Sequence, residues 1–281
     1  MSARNEEKLG SSLEPSVQSR AATPPPANSI LNFPTPTEFV ELPSGGKYYP
    51  EGHPLHGVES VEIKIMTAKE EDILINESYL REGVAVEKLL KSVLIDRSLK
   101  LEDFLIGDKN AILFATRISG LGPHYGVNLG CGACGAKQEK TIDLREVEHK
   151  DCFYDNVDQT EKGTFITTLP TTGLNVEFKL LSGHEEKSIE ETMKKRKKYK
   201  VEQERLLYMM ELMVQSINGV EDRSQIRACL SRIPASDCRH LRKTYERVCP
   251  DVDINHEYSC SECGHTQEVI MPLTADFFWS K

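Results

Sequence analysis

Two Cys-x-x-Cys-Gly units constrain this chain more than any other feature. The first is Cys131-Gly-Ala-Cys134-Gly135 and the second is Cys260-Ser-Glu-Cys263-Gly264. Each follows a segment that reads as extended. Together they supply the four thiolates that a tetrahedral structural zinc requires. Two intervening residues let both sulfurs of a unit turn toward one point. The glycine lets the backbone turn tightly, so that amides can face the sulfurs. The first unit ends at Gly135 and the second begins only after Ser259. A shared ion would therefore clamp the middle of the chain to its C-terminal part. The expected cofactor is one structural Zn2+ per chain, held by Cys131, Cys134, Cys260 and Cys263.

The competing reading is a pair of redox motifs. A redox Cys-x-x-Cys opens a helix after a strand, whereas here glycine and then polar extended sequence follow each pair. His265 stands close enough to replace a sulfur, but four cysteines already fill a closed site. His149 and His256 read as surface histidines. A closed site of this kind has no open position, so it implies no catalysis.

The chain has 281 residues, enough for one large domain or two small ones. Its first 35 or so residues are rich in Ser, Pro and Ala and nearly free of large apolar side chains. The net charge is -9. That argues against a protein whose main task is to hold a phosphate backbone, and nucleic acid is not an expected partner. No apolar run approaches the ~20 residues of a membrane span, and no apolar signal segment opens the sequence. A reducing cytosol is the expected setting, where such cysteine pairs favour metal over disulfide. Cys152, Cys229, Cys238 and Cys249 read as small buried hydrophobes.

The segment Glu38–Leu42 reads as a strand, turned by Pro43-Ser-Gly-Gly46. In Val58–Met66, Val61, Ile63 and Ile65 alternate with Glu62 and Lys64, as in a half-buried strand. Thr67-Ala-Lys-Glu70 resembles a capping box opening a helix to about Asn76. Gly83 interrupts, and Val84–Leu94 is a second helix with Val86, Leu89, Leu90, Val93 and Leu94 on one side. Asp103–Asn110 reads as a turn feeding a short helix, Ala111–Ile118, stopped by Ser119-Gly-Leu-Gly-Pro123. Extended segments flank each cysteine pair: Tyr125–Leu129 and Gln138–Leu144, then Val252–Tyr258 and Gln267–Met271. Between them lie a hairpin across Gly163–Leu181 and one long helix, Glu185–Ile217. Two shorter helices follow, Arg223–Ile233 and Ala235–Val248, with Ser236 as N-cap of the latter.

The expected fold class is α+β. A helical N-terminal part precedes a zinc-ribbon-like two-knuckle unit with an inserted hairpin and three helices. The expected division is a disordered Ser/Pro-rich tail over 1–36, a hairpin or strand with helices over 37–124, and a zinc-ribbon-like domain over 125–281. Its helical insertion covers about 163–250.

Three other features invite a functional reading. Lys194-Lys-Arg-Lys-Lys-Tyr-Lys200 is the one basic run. It suits a nucleic-acid or acidic-partner contact. It also suits a solvated helix, because Glu190 and Glu191 precede Lys194 and Lys195 by four residues. The solvated reading is preferred. The stripe Leu206, Met209, Met210, Met213 and Ile217 fits ordinary core, with an adaptable helix contact as the sharper alternative. Phe277, Phe278 and Trp279 either anchor on a neighbouring subunit or fold back on their own domain. Tests for enzymes fail. Ser44-Gly-Gly-Lys47 has Glu41 where a phosphate loop needs glycine, and Tyr48 where it needs a hydroxyl for magnesium. His184-Glu-Glu-Lys-Ser188 lacks the second histidine of a zinc protease, and no Gly-x-Ser-x-Gly is present. No enzymatic activity is expected. The alternatives are a zinc-ribbon nucleic-acid-binding protein using 194–200, or a metal-dependent enzyme whose fourth metal position is held by water.

Several stretches in order resemble a known family. They are Leu42-Pro-Ser-Gly-Gly-Lys-Tyr-Tyr-Pro50, Val61–Leu74, Asp103-Phe-Leu-Ile-Gly-Asp-Lys-Asn-Ala111 and Arg117-Ile-Ser-Gly120. Both cysteine pairs, Leu169-Pro-Thr-Thr-Gly173, Phe178-Lys-Leu-Leu-Ser-Gly183 and the Phe277-Phe-Trp279 ending follow. From about residue 38 the chain resembles the T4-like bacteriophage baseplate proteins, the baseplate hub subunit group of contractile-tailed phages. The resemblance implies a non-enzymatic structural or assembly protein of the virion tail baseplate, put together in the host cytoplasm. Its partners would be other baseplate and tail proteins, with a homo-oligomer or repeated copies in view. The N-terminal tail is not part of the resemblance.

Overall fold

The computed structural model describes residues 34–271, apart from residue 203, and residues 275–278. The expected tail lies almost wholly outside these residues, as does Trp279. The chain is α+β, with eight α-helices and small antiparallel sheets among the described residues.

Strands β1 (Thr37–Glu41) and β2 (Ser60–Lys64) pair antiparallel. Val61 and Ile63 are buried, as alternation requires. Helix α1 (Ala68–Ile75) opens on the expected box: the Glu70 carboxylate accepts the Thr67 amide at 3.1 Å and its hydroxyl at 2.6 Å. Glu70 is fully buried, and also takes Lys64 Nζ at 2.7 Å and the Ser92 hydroxyl at 2.6 Å. The cap thus doubles as a buried tie between β2 and a later helix. Helix α2 (Glu77–Glu82) ends on Gly83, whose φ of 73° is the left-handed cap. Helix α3 (Ala85–Val93) buries Leu89, Leu90 and Val93.

The next stretch differs from the sequence reading. Asp103–Asn110 is not a turn. Helix α4 runs from Ile106 to Leu121, continues through Ser119 and Gly120, and stops at Gly122. The polar and small residues that looked like turn formers are buried for specific reasons. Asp108 accepts the Ser44 amide (2.9 Å), the Ser44 hydroxyl (2.7 Å) and the Tyr49 hydroxyl (2.6 Å), and is wholly covered. Gly107 lies against the Pro250 backbone, and a Cβ there would overlap the Pro250 carbonyl oxygen.

Strands β3 (His124–Gly130) and β4 (Lys137–Asp143) form one hairpin. The insertion follows. Strands β5 (Asp158–Gln159), β6 (Phe165–Thr168), β7 (Asn175–Phe178) and β8 (Val214–Ile217) make a four-stranded antiparallel sheet in that order. The single long helix expected over Glu185–Ile217 is instead three elements. Helix α5 (Gly183–Lys198) breaks where Lys200 takes a positive φ of 55°. Helix α6 (Arg205–Met213) follows, and Val214–Ile217 then turns into β8. Ile217 is buried in both schemes and Val214 joins it in the core, but β-branched residues suit a strand, and β7 offers an edge to pair with. Helices α7 (Arg223–Leu230) and α8 (Ala235–Val248) complete the insertion, which therefore holds four helices rather than three. Ser236 is not the cap of α8; Pro234 is. The neighbouring Asp237 instead accepts the Thr171 and Thr172 amides at 2.9 and 3.0 Å, tying α8 to the β6–β7 turn. Strands β9 (Asn255–Ser259) and β10 (Thr266–Ile270) form the second hairpin.

One apolar core runs from Val40 to Phe278 and draws on nearly every element. Phe277 packs on Phe114 and Tyr125, with ring centroids 5.1 Å away in both cases. Of the two readings of Phe277 and Phe278, folding back on their own domain is the one realised.

Two predictions follow from this packing. Gly107→Ala gains helix propensity of ~1 kcal/mol, yet forces α4 off the Pro250 backbone. Overpacking against backbone costs ~1–3 kcal/mol or more, so a net lower urea midpoint is expected. The second concerns acid. Burial alone would raise the Glu70 carboxyl, but the bonds from Lys64, Ser92 and Thr67 outweigh it and hold the group at about 2, against an ordinary 4.5. A depressed folded value contributes stability that is present above the unfolded value and lost as pH falls. Stability of about 2–3 kcal/mol should therefore drain away between about pH 4.5 and 2. In Glu70→Gln, urea titrations across that range should show a correspondingly flatter acid limb.

Candidate metal centre

Each cysteine pair sits at the tip of a hairpin, and the two tips are built alike. In the first, the Cys131 amide donates to Ala136 O (2.8 Å) and the Gly135 amide to Cys131 O (2.9 Å). In the second, the Cys260 amide donates to His265 O (2.9 Å) and the Gly264 amide to Cys260 O (2.9 Å). Gly135 and Gly264 take φ of 73° and 70°, the left-handed conformation that glycine adopts without strain. The two Cys-x-x-Cys turns thus share one backbone pattern.

What brings the knuckles together is the path into and out of each hairpin. Strand β3 leaves the end of α4 through Gly122. There Arg117, buried on α4, donates to Gly122 O (2.5 Å), His124 O (3.0 Å) and Phe277 O (3.1 Å). The segment leaving β4 lies beside the one entering β9: the Lys150 amide donates to Asp251 O and the Asp253 amide to Glu148 O, both at 2.8 Å. Asn110 on α4 fixes this crossing by donating to Asp251 Oδ1 at 2.9 Å.

The result is a cluster of four sulfurs. Cys131 Sγ lies 3.7 Å from Cys263 Sγ, and Cys134 Sγ lies 3.7 Å from Cys260 Sγ. All four ligand atoms fall within 4.8 Å of one another. A disulfide would need sulfurs about 2.05 Å apart. A tetrahedral ion with metal–sulfur bonds of about 2.3 Å separates its sulfurs by about 3.8 Å. The spacing matches the second case. Cys131 and Cys260 are buried, whereas Cys134 and Cys263 are exposed. Beneath them Tyr258 is buried with Cys131 and Cys260, flanked by Leu129, Ala136 and Val269, as a small apolar cluster apart from the main core.

Thiols this close cannot all ionise at once. The amides of Cys134 and Ala133 favour the Cys131 thiolate and lower that group. The amides of Cys263 and Glu262 do the same for Cys260, bringing it to about 6. The His265 amide pulls Cys263 the same way, but bonding to Cys134, desolvation and the other sulfurs prevail, and it rises to about 12. Cys134 is also raised, against the pull of the Ala136 amide. A cation among the sulfurs would remove this conflict by stabilising every thiolate.

Two residues of the centre were not foreseen. Gln138 Oε1 accepts the Ser261 amide (3.2 Å) and the Tyr258 hydroxyl (2.9 Å), and its Nε2 points at Cys260 Sγ (3.7 Å). Gln267 Oε1 accepts the Gly132 amide (2.7 Å), and its Nε2 donates to Gly130 O (3.0 Å). The signal was in the sequence: both units extend to Cys-x-x-Cys-Gly-x-x-Gln, at Cys131–Gln138 and Cys260–Gln267.

The remaining features fall outside the centre. His265 contributes its backbone carbonyl to the second knuckle, and its side chain is exposed. His149 is exposed and His256 half-buried. The basic run forms the end of α5. Lys194 lies 3.8 Å from Glu190, and Arg196 lies 3.0 Å from Glu204, the neighbours expected of a solvated helix. No helix among the described residues is long and apolar enough to cross a membrane.

Fold and site together define an α+β protein whose two hairpin tips converge on a four-thiol centre. The chain belongs to the family described as T4 bacteriophage base plate protein, whose family model matches residues 35–279. It is thus a structural phage baseplate protein, and its place is the virion tail. No curated protein and no solved structure matches the chain.

Proposed function

We propose that the protein is a zinc-stapled, non-enzymatic subunit of the baseplate hub group. One structural Zn2+ is held by Cys131, Cys134, Cys260 and Cys263. The observation that carries this reading is the pair of 3.7 Å sulfur contacts joining knuckles that are 126 and 132 positions apart in sequence. Four thiolates in that geometry favour zinc and leave no open position for substrate.

The proposed work of the ion is mechanical. It closes 125–281 into one zinc-ribbon-like unit and fixes the insertion of about 163–250 between its two ends. Residues 37–124 supply the helical support, and the 1–36 tail serves a separate contact. Structural zinc can contribute about 10 kcal/mol or more to folding. A rigid block lowers the ordering cost of docking on other baseplate and tail proteins, including repeated copies of itself. Assembly would take place in the host cytoplasm before the tail is complete. The nucleic-acid alternative gains little from the basic run, since Lys194 and Arg196 already face carboxylates of their own chain.

Metal analysis of protein purified without chelator should give one zinc per chain. Cys260→Ser should lose zinc and solubility together. Wild-type protein that stays soluble and metal-free after such a preparation would overturn the proposal. Replacing Lys195, Lys197, Lys198 and Lys200 should leave retention on DNA at low salt unchanged and negligible.

A further inference from the structure

Gln138 and Gln267 occupy equivalent places, seven residues after the first cysteine of each unit. Each reaches across to the other unit. Gln138, in the first hairpin, takes the amide of Ser261 in the second knuckle. Gln267, in the second hairpin, takes the amide of Gly132 in the first. Gly132 and Ser261 are themselves equivalent, each following the first cysteine of its pair. The contact is therefore reciprocal, with an approximate twofold relation between the hairpins.

The partners fix the orientation of both side-chain amides. A backbone N–H can only donate, so the atom facing Ser261 N and Gly132 N must be oxygen in each glutamine. The nitrogen of Gln267 then meets a carbonyl, Gly130 O. The nitrogen of Gln138 meets the hydroxyl of Ser261 and the sulfur of Cys260. All of these bonds suit a glutamine and no residue that only accepts or only donates. The two sides are not identical: Gln138 also accepts the Tyr258 hydroxyl and addresses the sulfur of the buried Cys260, whereas Gln267 donates to a backbone carbonyl.

We propose that Gln138 and Gln267 form a reciprocal clasp that joins the two knuckles without help from a metal and thereby sets how tightly the four cysteines bind one. They are positioning residues, acting through the knuckle backbone. The first half of the claim stands on the hydrogen bonds alone; the second rests on the zinc reading given above. Groups of this kind around a metal site change its affinity by about 10–100-fold when removed.

The test uses the full chain as wild type, Gln138→Ala and Gln267→Ala. Amide hydrogen exchange, followed by NMR on chelator-treated protein, reads the clasp directly. The expected pattern is crossed: Gln267→Ala unprotects Gly132, and Gln138→Ala unprotects Ser261, each leaving the other amide protected. Loss of both protections on chelation of the wild type, or variants with unaltered or uncrossed exchange, would overturn the clasp. Competition of zinc against a chromophoric chelator reads the second half. Both variants should keep one zinc per chain and bind it about 10–100-fold more weakly, and a tetrahedral thiolate spectrum should persist with Co2+. Unchanged affinity would overturn that half. If one variant fails to fold, the other carries the same claim from the opposite side. A wild type that takes up no zinc refutes the zinc reading, while the crossed exchange pattern still decides the clasp.

Discussion

The side-by-side course of Glu148–Lys150 and Asp251–Asp253 is the constraint on which the four-thiol centre depends. Two backbone hydrogen bonds of 2.8 Å join these segments, and α4 holds the second of them through Gly107, packed on Pro250, and Asn110, bonded to Asp251. One segment leaves the first hairpin and the other enters the second. Their register therefore determines where the two tips end up. A slip of one residue would shift a strand by ~3.3 Å and turn its side chains to the opposite face. Sulfurs that now stand 3.7 Å apart would no longer face a common point.

The main core, from Val40 to Phe278, closes around α4 and draws on the inserted sheet and helices. The cluster under the knuckles is small, with only Cys131, Tyr258 and Cys260 buried. Apolar burial that slight contributes little stability by itself. The knuckles are held by polar contacts from Gln138, Gln267 and the backbone turns, and by what the thiolates can bind. The centre is built as an attachment between two arms rather than as part of the core.

Much of this was legible in the sequence because local chemistry and tertiary demand agreed. Thr67 and Glu70 cap a helix, Gly83 ends one, and the two knuckles carry their own glycines. The misreadings arose where a residue serves a distant partner. Asp108 looks like a turn former, yet it is a buried acceptor for Ser44 and Tyr49, more than fifty positions earlier in the chain. Gly107 and Gly120 looked like helix breakers. Each is small because Pro250 or Met66 fills the space where a side chain would stand. Val214–Ile217 kept helical spacing with the methionines before it, and only the free edge of β7 decides for a strand. Glutamine is a common surface residue, so Gln138 and Gln267 drew notice only once the two knuckles faced each other.

The four sulfurs are not equally sheltered. Cys131 and Cys260 are covered, while Cys134 and Cys263 stand open to water. Any exchange of a bound ion, and any attack by an oxidant or alkylating agent, must begin at those outer two. The centre thus has one open side, and reagents reach the sulfurs from there.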